Sequence, residues 1–134
     1  MAQQGVFRFW AGVDLVIGLC LLLPPVAWWL LELLFSLNRA LGGSGQVADL
    51  GPLGLLLLCM LGAMIVTWAV ARLRHPHPRL ALIDTIARFW VGGLIVWFVL
   101  FHQVPPIVLV FVISEWLGGI HQAFALRKRG YVIR

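Results

Sequence analysis

Three proton-exchanging side chains, Asp14, Glu115 and His121, lie within otherwise apolar runs of the chain. A carboxylate and an imidazole on neighbouring helices can pair, pass a proton, or hold the polar head of an apolar ligand. Asp14 follows Arg8 by six residues, about 9 Å of helical rise, and His121 precedes Arg127 by the same interval. Glu115 precedes Arg127 by twelve residues, about 18 Å, which would set it near the middle of a bilayer. A carboxylate at that depth costs on the order of 3 kcal/mol, so it must face protein or trapped water, or carry a proton. Ser114, Glu115, Gly118, His121 and Gln122 share one side of the last helix, and Trp10, Asp14 and Gly18 share a face of the first. An Asp14–His121 contact is the expected meeting point. The three uses open to these groups are a polar clasp that fixes helix register, a pocket for a lipid, sterol-like molecule or quinone, and acid–base chemistry by Glu115 and His121.

Other chemistry finds less material. Haem held by two histidines needs them at equal depth on facing helices. His102 falls at the outer end of the third span, His121 in the inner half of the fourth, and His75 and His77 in a turn, so haem is not expected. No metal-ligand spacing accompanies Cys20 and Cys59, which read as small packing groups inside apolar runs rather than as a disulfide, and no metal or other cofactor is expected. Nucleotide-binding loops and hydrolase motifs are missing, and no helix is polar along its length as a pore lining would be.

The elements that must position these groups follow from hydropathy. Of 134 residues, 62% are hydrophobic and 11% charged, too apolar a balance for so small a water-solvated domain. The expectation is a single all-α domain, a four-helix bundle integral to a membrane. Spans are placed at about 7–25, 53–73, 86–103 and 107–126, with an interfacial helix over about 26–41 on the outer leaflet. Pro24-Pro25 breaks the first run, and the absence of a small-residue cleavage site after it argues against a removed leader. Gly42-Gly43-Ser44-Gly45 reads as a loop, and Pro52 suits the first turn of the second span. The turn from Arg72 to Arg79 is basic and broken by Pro76 and Pro78, and Asp84 and Arg88 follow it four apart on one helix face.

Nine basic residues collect at one side of this plan, namely Arg8, Arg72, Arg74, Arg79, Arg88, Arg127, Lys128, Arg129 and Arg134, against Arg39 on the other. That asymmetry predicts both termini in the cytoplasm, with a bacterial inner membrane the natural setting. It also accounts for the net charge of +5 without nucleic acid, since the cations cap apolar runs. Arg8-Phe9-Trp10-Ala11-Gly12 is echoed by Arg88-Phe89-Trp90-Val91-Gly92, either as convergent anchoring where two helices enter the membrane or as the trace of a duplicated hairpin. Cys59, Ala63, Thr67 and Ala71 form a small-residue stripe, and Gly92-Gly93 and Gly118-Gly119 add further places for close helix approach.

With Arg8, Gly12 and Gly18 in its first helix and four helices in this length, the chain resembles DoxX-type small membrane proteins. That resemblance implies a four-helix membrane fold and redox or sulfur-metabolism partners, and it carries no functional residue across. Packing and anchoring features outnumber chemical groups, so a non-catalytic accessory subunit, binding lipids, other membrane proteins or itself, is the leading expectation. An intramembrane pocket built on Asp14, Glu115 and His121, and a small transporter, stay open beside it.

Overall fold

The computed structural model describes residues 2–45 and 50–128, of which Ala2 and Gln3 are described by backbone alone. Five helices follow in order: α1 (Ala2–Leu22), α2 (Pro24–Ala40), α3 (Gly51–Arg74), α4 (Pro78–Phe101) and α5 (Leu109–Arg127). Proline sets most of the starts. Pro24, Pro52 and Pro78 occupy first-turn positions, where a missing N–H costs nothing. Leu23, in extended backbone, separates α1 from α2, so the first span stops a little short of the expected boundary at 25. α4 starts at Pro78, eight residues before the expected span, because the His77 ring nitrogen Nδ1 accepts from the Arg79 N–H at 3.2 Å and caps it. A single 3-10 turn, Pro106–Val108, leads into α5, and Gln103 takes the positive φ of 54° that reverses the chain before it.

Among the described residues, four segments are long and apolar enough to cross a membrane: Gln4–Leu22, Gly51–Arg74, Pro78–Phe101 and Pro106–Arg127. α2 is not among them. It lies against α1, α3 and the 3-10 turn, buries Ala27 and Asn38, and leaves Trp28, Trp29 and Leu33 exposed.

Residue pairings fix the directions. Asp14 meets Arg72, Gly18 faces Ile65 and Val66, and Gly62 faces Leu21 and Leu22, so α1 and α3 run antiparallel. Thr85 meets Gln122, Arg88 meets Glu115, and Gly92 faces Trp116, so α4 and α5 are antiparallel too. The molecule is thus two tightly packed pairs, α1 with α3 and α4 with α5, while direct contact between α1 and α5 is thinner.

The usual distribution of polarity is inverted. Buried apolar side chains are mostly alanines, with Phe7, Val112 and Leu126, whereas Asp14, Asn38, Arg72, Asp84, Thr85, Arg88 and Gln122 are buried polar groups. Outside stand Leu53, Met64, Trp90 and Leu100, each roughly 70% exposed. So many exposed large apolar side chains suit a hydrocarbon solvent, which imposes no cost on them.

Glycine decides how closely α1 and α3 approach. A Cβ on Gly62 would lie 2.5 Å from the Leu22 backbone nitrogen, and one on Gly18 would lie 2.9 Å from Ile65 Cγ2. Gly62 and Ala69 are buried at this contact, whereas Cys59, Ala63 and Ala71 of the expected stripe are half-buried and Thr67 is exposed, its hydroxyl returned to the Ala63 carbonyl at 2.9 Å. The contact face of α3 is therefore turned away from the four-residue stripe, because it must also deliver Arg72 to the interior. Gly62→Leu should cost about 1–3 kcal/mol through forced separation of the backbones, whereas Gly93→Ala, in open space, should leave stability unchanged; thermal unfolding of the two variants in detergent checks this.

Candidate functional site

A cluster of five charged side chains joins all four long helices. α1 contributes Asp14, α3 Arg72, α4 Asp84 and Arg88, and α5 Glu115. Asp84 is the hub. Its Oδ2 accepts from Arg72 Nη1, from Arg88 Nε at 3.0 Å and from Gln122 Nε2 at 2.9 Å, while its Oδ1 accepts from the Trp68 indole at 2.8 Å. Asp14 Oδ2 accepts from Arg72 Nη2 and Arg88 Nη2, so both guanidiniums bridge both aspartates. Arg88 spends its remaining arm on Glu115 Oε2 at 3.2 Å. Thr85 donates to the Ala81 carbonyl at 2.7 Å and touches the Gln122 side-chain oxygen at 3.2 Å, which orients the amide toward Asp84.

The local reasons lie in spacing. Asp84 and Arg88 are one turn apart on α4, and Trp68 and Arg72 are one turn apart on α3, so each pair faces the same way. Each guanidinium is also covered by an indole, Arg72 by Trp68 at 5.7 Å and Arg88 by Trp10 at 5.5 Å, a cation–π arrangement that replaces some lost hydration. Gly118 makes room, since a Cβ there would come within 3.0 Å of both Arg88 and the Trp10 ring.

Arg72 and Arg88 depart from the sequence expectation. They are each 3% exposed and belong to the interior, not to the solvated basic face on which they were counted. Arg8, Arg74, Arg79, Arg127 and Lys128 remain exposed, and Arg129 and Arg134 lie outside the described residues. The Arg8 and Arg88 echo dissolves for the same reason. Arg8 is exposed near the start of α1, whereas Arg88 is ten residues beyond Pro78 and buried, and Trp90 points outward while Trp10 covers Arg88.

The expected Asp14–His121 contact is replaced by the arginine pairs. His121 is exposed, and its Nδ1 accepts from the Trp10 indole at 3.3 Å, so it reaches the cluster only through that ring. Gln122, one residue on, is the inward member of that side of α5, at 1% exposure. Ser114 returns its hydroxyl to the Phe111 carbonyl at 3.0 Å and stays outside the cluster. Gly92 packs under the Trp116 indole and Gly119 under the Phe89 ring, while Gly93 faces open space. Cys20 and Cys59 are free thiols. Among the described residues, no three His, Cys, Asp or Glu side chains are grouped to hold a metal ion.

A second polar tie lies at the opposite end. Asn38, buried at the end of α2, donates to the carbonyls of Gly43 and Ser44 at 3.1 and 3.4 Å and accepts from the Ile107 N–H at 3.3 Å. It fastens the α2 loop to the 3-10 turn before α5.

No family model matches this chain, and neither a curated protein nor a solved structure matches it.

Chemically, the cluster is a set of charge pairs in which each carboxylate accepts from a guanidinium, Trp68 and Gln122 add donors to Asp84, and Arg72 Nε alone of the buried side-chain polar atoms among the described residues has no partner. Removing one partner strands a buried opposite charge, which costs several kcal/mol, more than the intact pair contributes. Asp84→Asn should lower stability by about 3 kcal/mol, and Glu115→Gln, at the less enclosed edge, by much less. Thermal melts in detergent read both, and equal, small shifts would show that Asp84 is not the anchor.

Proposed function

We propose that this chain is a four-span integral membrane protein that serves as a non-catalytic accessory subunit, using its uncovered apolar faces to bind lipids and other membrane proteins. The observation that carries this reading is the division of labour between inside and outside. The charged groups pair with one another across four helices, whereas Trp28, Trp29, Trp90, Trp97 and Phe101 are presented outward. A catalytic or ligand-binding centre keeps polar groups free for a substrate, whereas a clasp consumes them. The exposed cations Arg8, Arg74, Arg79, Arg127 and Lys128 lie at the end of the bundle where α1 and α4 begin and α3 and α5 finish. Arg39 lies at the other. Two buried arginines have left the count, yet the asymmetry still supports cytoplasmic termini in an inner membrane.

A second reading, a small cation- or proton-coupled transporter, draws on one observation. Three carboxylates face two guanidiniums, and Glu115 is the most exposed of the three, with 22% of its side chain uncovered. An odd negative charge at the edge of a cluster is where a transported cation or proton would be exchanged.

Extraction in mild detergent followed by native mass spectrometry separates the two. An accessory subunit should co-purify with another membrane protein or bound phospholipid, and Glu115→Gln should leave that association intact. A bare monomer would overturn the accessory reading. Flux in proteoliposomes that is abolished by Glu115→Gln would establish the transporter in its place.

A further inference from the structure

On the outer side of the α4–α5 pair, Phe89, Ile120, Ala123, Phe124 and Arg127 line an open groove of about 310 Å³. Four of these residues recur on α5 at intervals of three and four, so they form one stripe along that helix. The groove is hollow because Ala123 is small where Ile120 and Phe124 are large. Phe89 comes across from α4 and seats on Gly119, where a Cβ would lie 3.0 Å from its ring carbon Cε2. From that contact to Arg127 is eight residues, about 12 Å of helical rise.

The two ends of the groove differ in chemistry. One is an aromatic ring within an apolar span, and the other is a guanidinium in the last turn of α5. Arg127 is exposed, and among the described residues its side chain makes no hydrogen bond or ion pair. Lys128 follows it, and Arg8, Arg74 and Arg79 are exposed at the same end of the bundle. A short apolar groove that finishes on a free cation is complementary to an amphiphile with an acyl tail and an anionic head. A partner helix fits it less well. Such a helix packs along about 30 Å of bilayer, more than twice the length of the groove, and it would cover Arg127 unless it brought a counter-charge to that level.

We infer that this groove is a binding site for an anionic phospholipid. One acyl chain lies on Ala123 between Ile120, Phe124 and Phe89, and the phosphate accepts from the Arg127 guanidinium. The inference rests on the four-span membrane reading and deepens it, giving the lipid a class and a place. Arg72 and Arg88 take no part, because both are buried and committed to the aspartates.

The test is native mass spectrometry of the full chain, delipidated in detergent and titrated with phosphatidylglycerol or phosphatidylcholine. Resistance of the membrane-bound chain to alkaline carbonate is measured first. Phosphatidylglycerol should form one tight adduct, bound roughly tenfold more strongly than phosphatidylcholine, as one charge-assisted contact provides. Arg127→Gln should remove that preference, Arg127→Lys should keep most of it, and Ala123→Phe, which fills the groove, should weaken both lipids. Arg74→Gln deletes an equal charge at the same end but outside the groove, and should change neither. Equal losses in Arg74→Gln and Arg127→Gln would overturn the site in favour of diffuse attraction. A second copy of the chain that departs with Ala123→Phe would overturn it in favour of self-association. Release of the chain by carbonate would defeat the membrane reading and the site together, whereas a carbonate-resistant chain with no phosphatidylglycerol preference would defeat the site alone.

Discussion

The structure depends on the carboxylate of Asp84. Two guanidiniums, an amide and an indole donate to it, and these four donors come from α3, α4 and α5. Through the same guanidiniums it is tied to Asp14 on α1. In a medium of low polarity none of these charges has water to fall back on, so the geometry that satisfies all of them is sharply favoured over any that strands one. In a bilayer, apolar packing alone would not choose among helix arrangements so firmly, because a leucine contacts lipid about as well as it contacts another leucine.

This explains why two well-packed helix pairs make one molecule. Within each pair, small residues allow the backbones to approach, Gly18 and Gly62 in one, Gly92 and Gly119 in the other. Between pairs, the packed core is slight: Phe7, Ala81, Ala125 and Leu126, with Val6 and Leu82 at its margin. Above that thin apolar layer the joining is electrostatic. Asn38 supplies a smaller tie at the other end, from backbone carbonyls to a backbone N–H across the α2 loop and the 3-10 turn.

Much of this was legible in the residues. Prolines 24, 52 and 78 and the apolar runs between basic caps mark the helices, and the four-residue spacing of Asp84 and Arg88 marks a shared face. Asp14 and Glu115 stand out as carboxylates that need shelter, and both are in the cluster. What the sequence hid was the partner. Arg72 lies at the end of an apolar run beside a basic turn, where an arginine ordinarily snorkels to water; it is turned inward because two aspartates lie within reach. Charge balance was the available signal, since Asp14 and Asp84 at similar depth demand cations and only Arg72 and Arg88 can supply them. His121 and Gln122 differ by one position, about 100° around a helix, and local pattern could not say which of the two faces inward. Tertiary packing decided for the uncharged amide, which needs less hydration.

The pairing of Asp14 with residues far along the chain bears on how the protein is made. Arg72 follows Asp14 by 58 residues and Arg88 follows it by 74. At a synthesis rate of about 5–20 residues per second, the first helix exists for on the order of 3–15 seconds before its counter-charges emerge from the ribosome. In a bilayer, α1 must spend that interval with its aspartate unmatched, held at the lipid surface or beside the insertion machinery. Final seating of the earliest helix is thereby postponed until the third has been translated, and a truncated nascent chain ending before α3 would present the cell's quality control with an unmatched carboxylate.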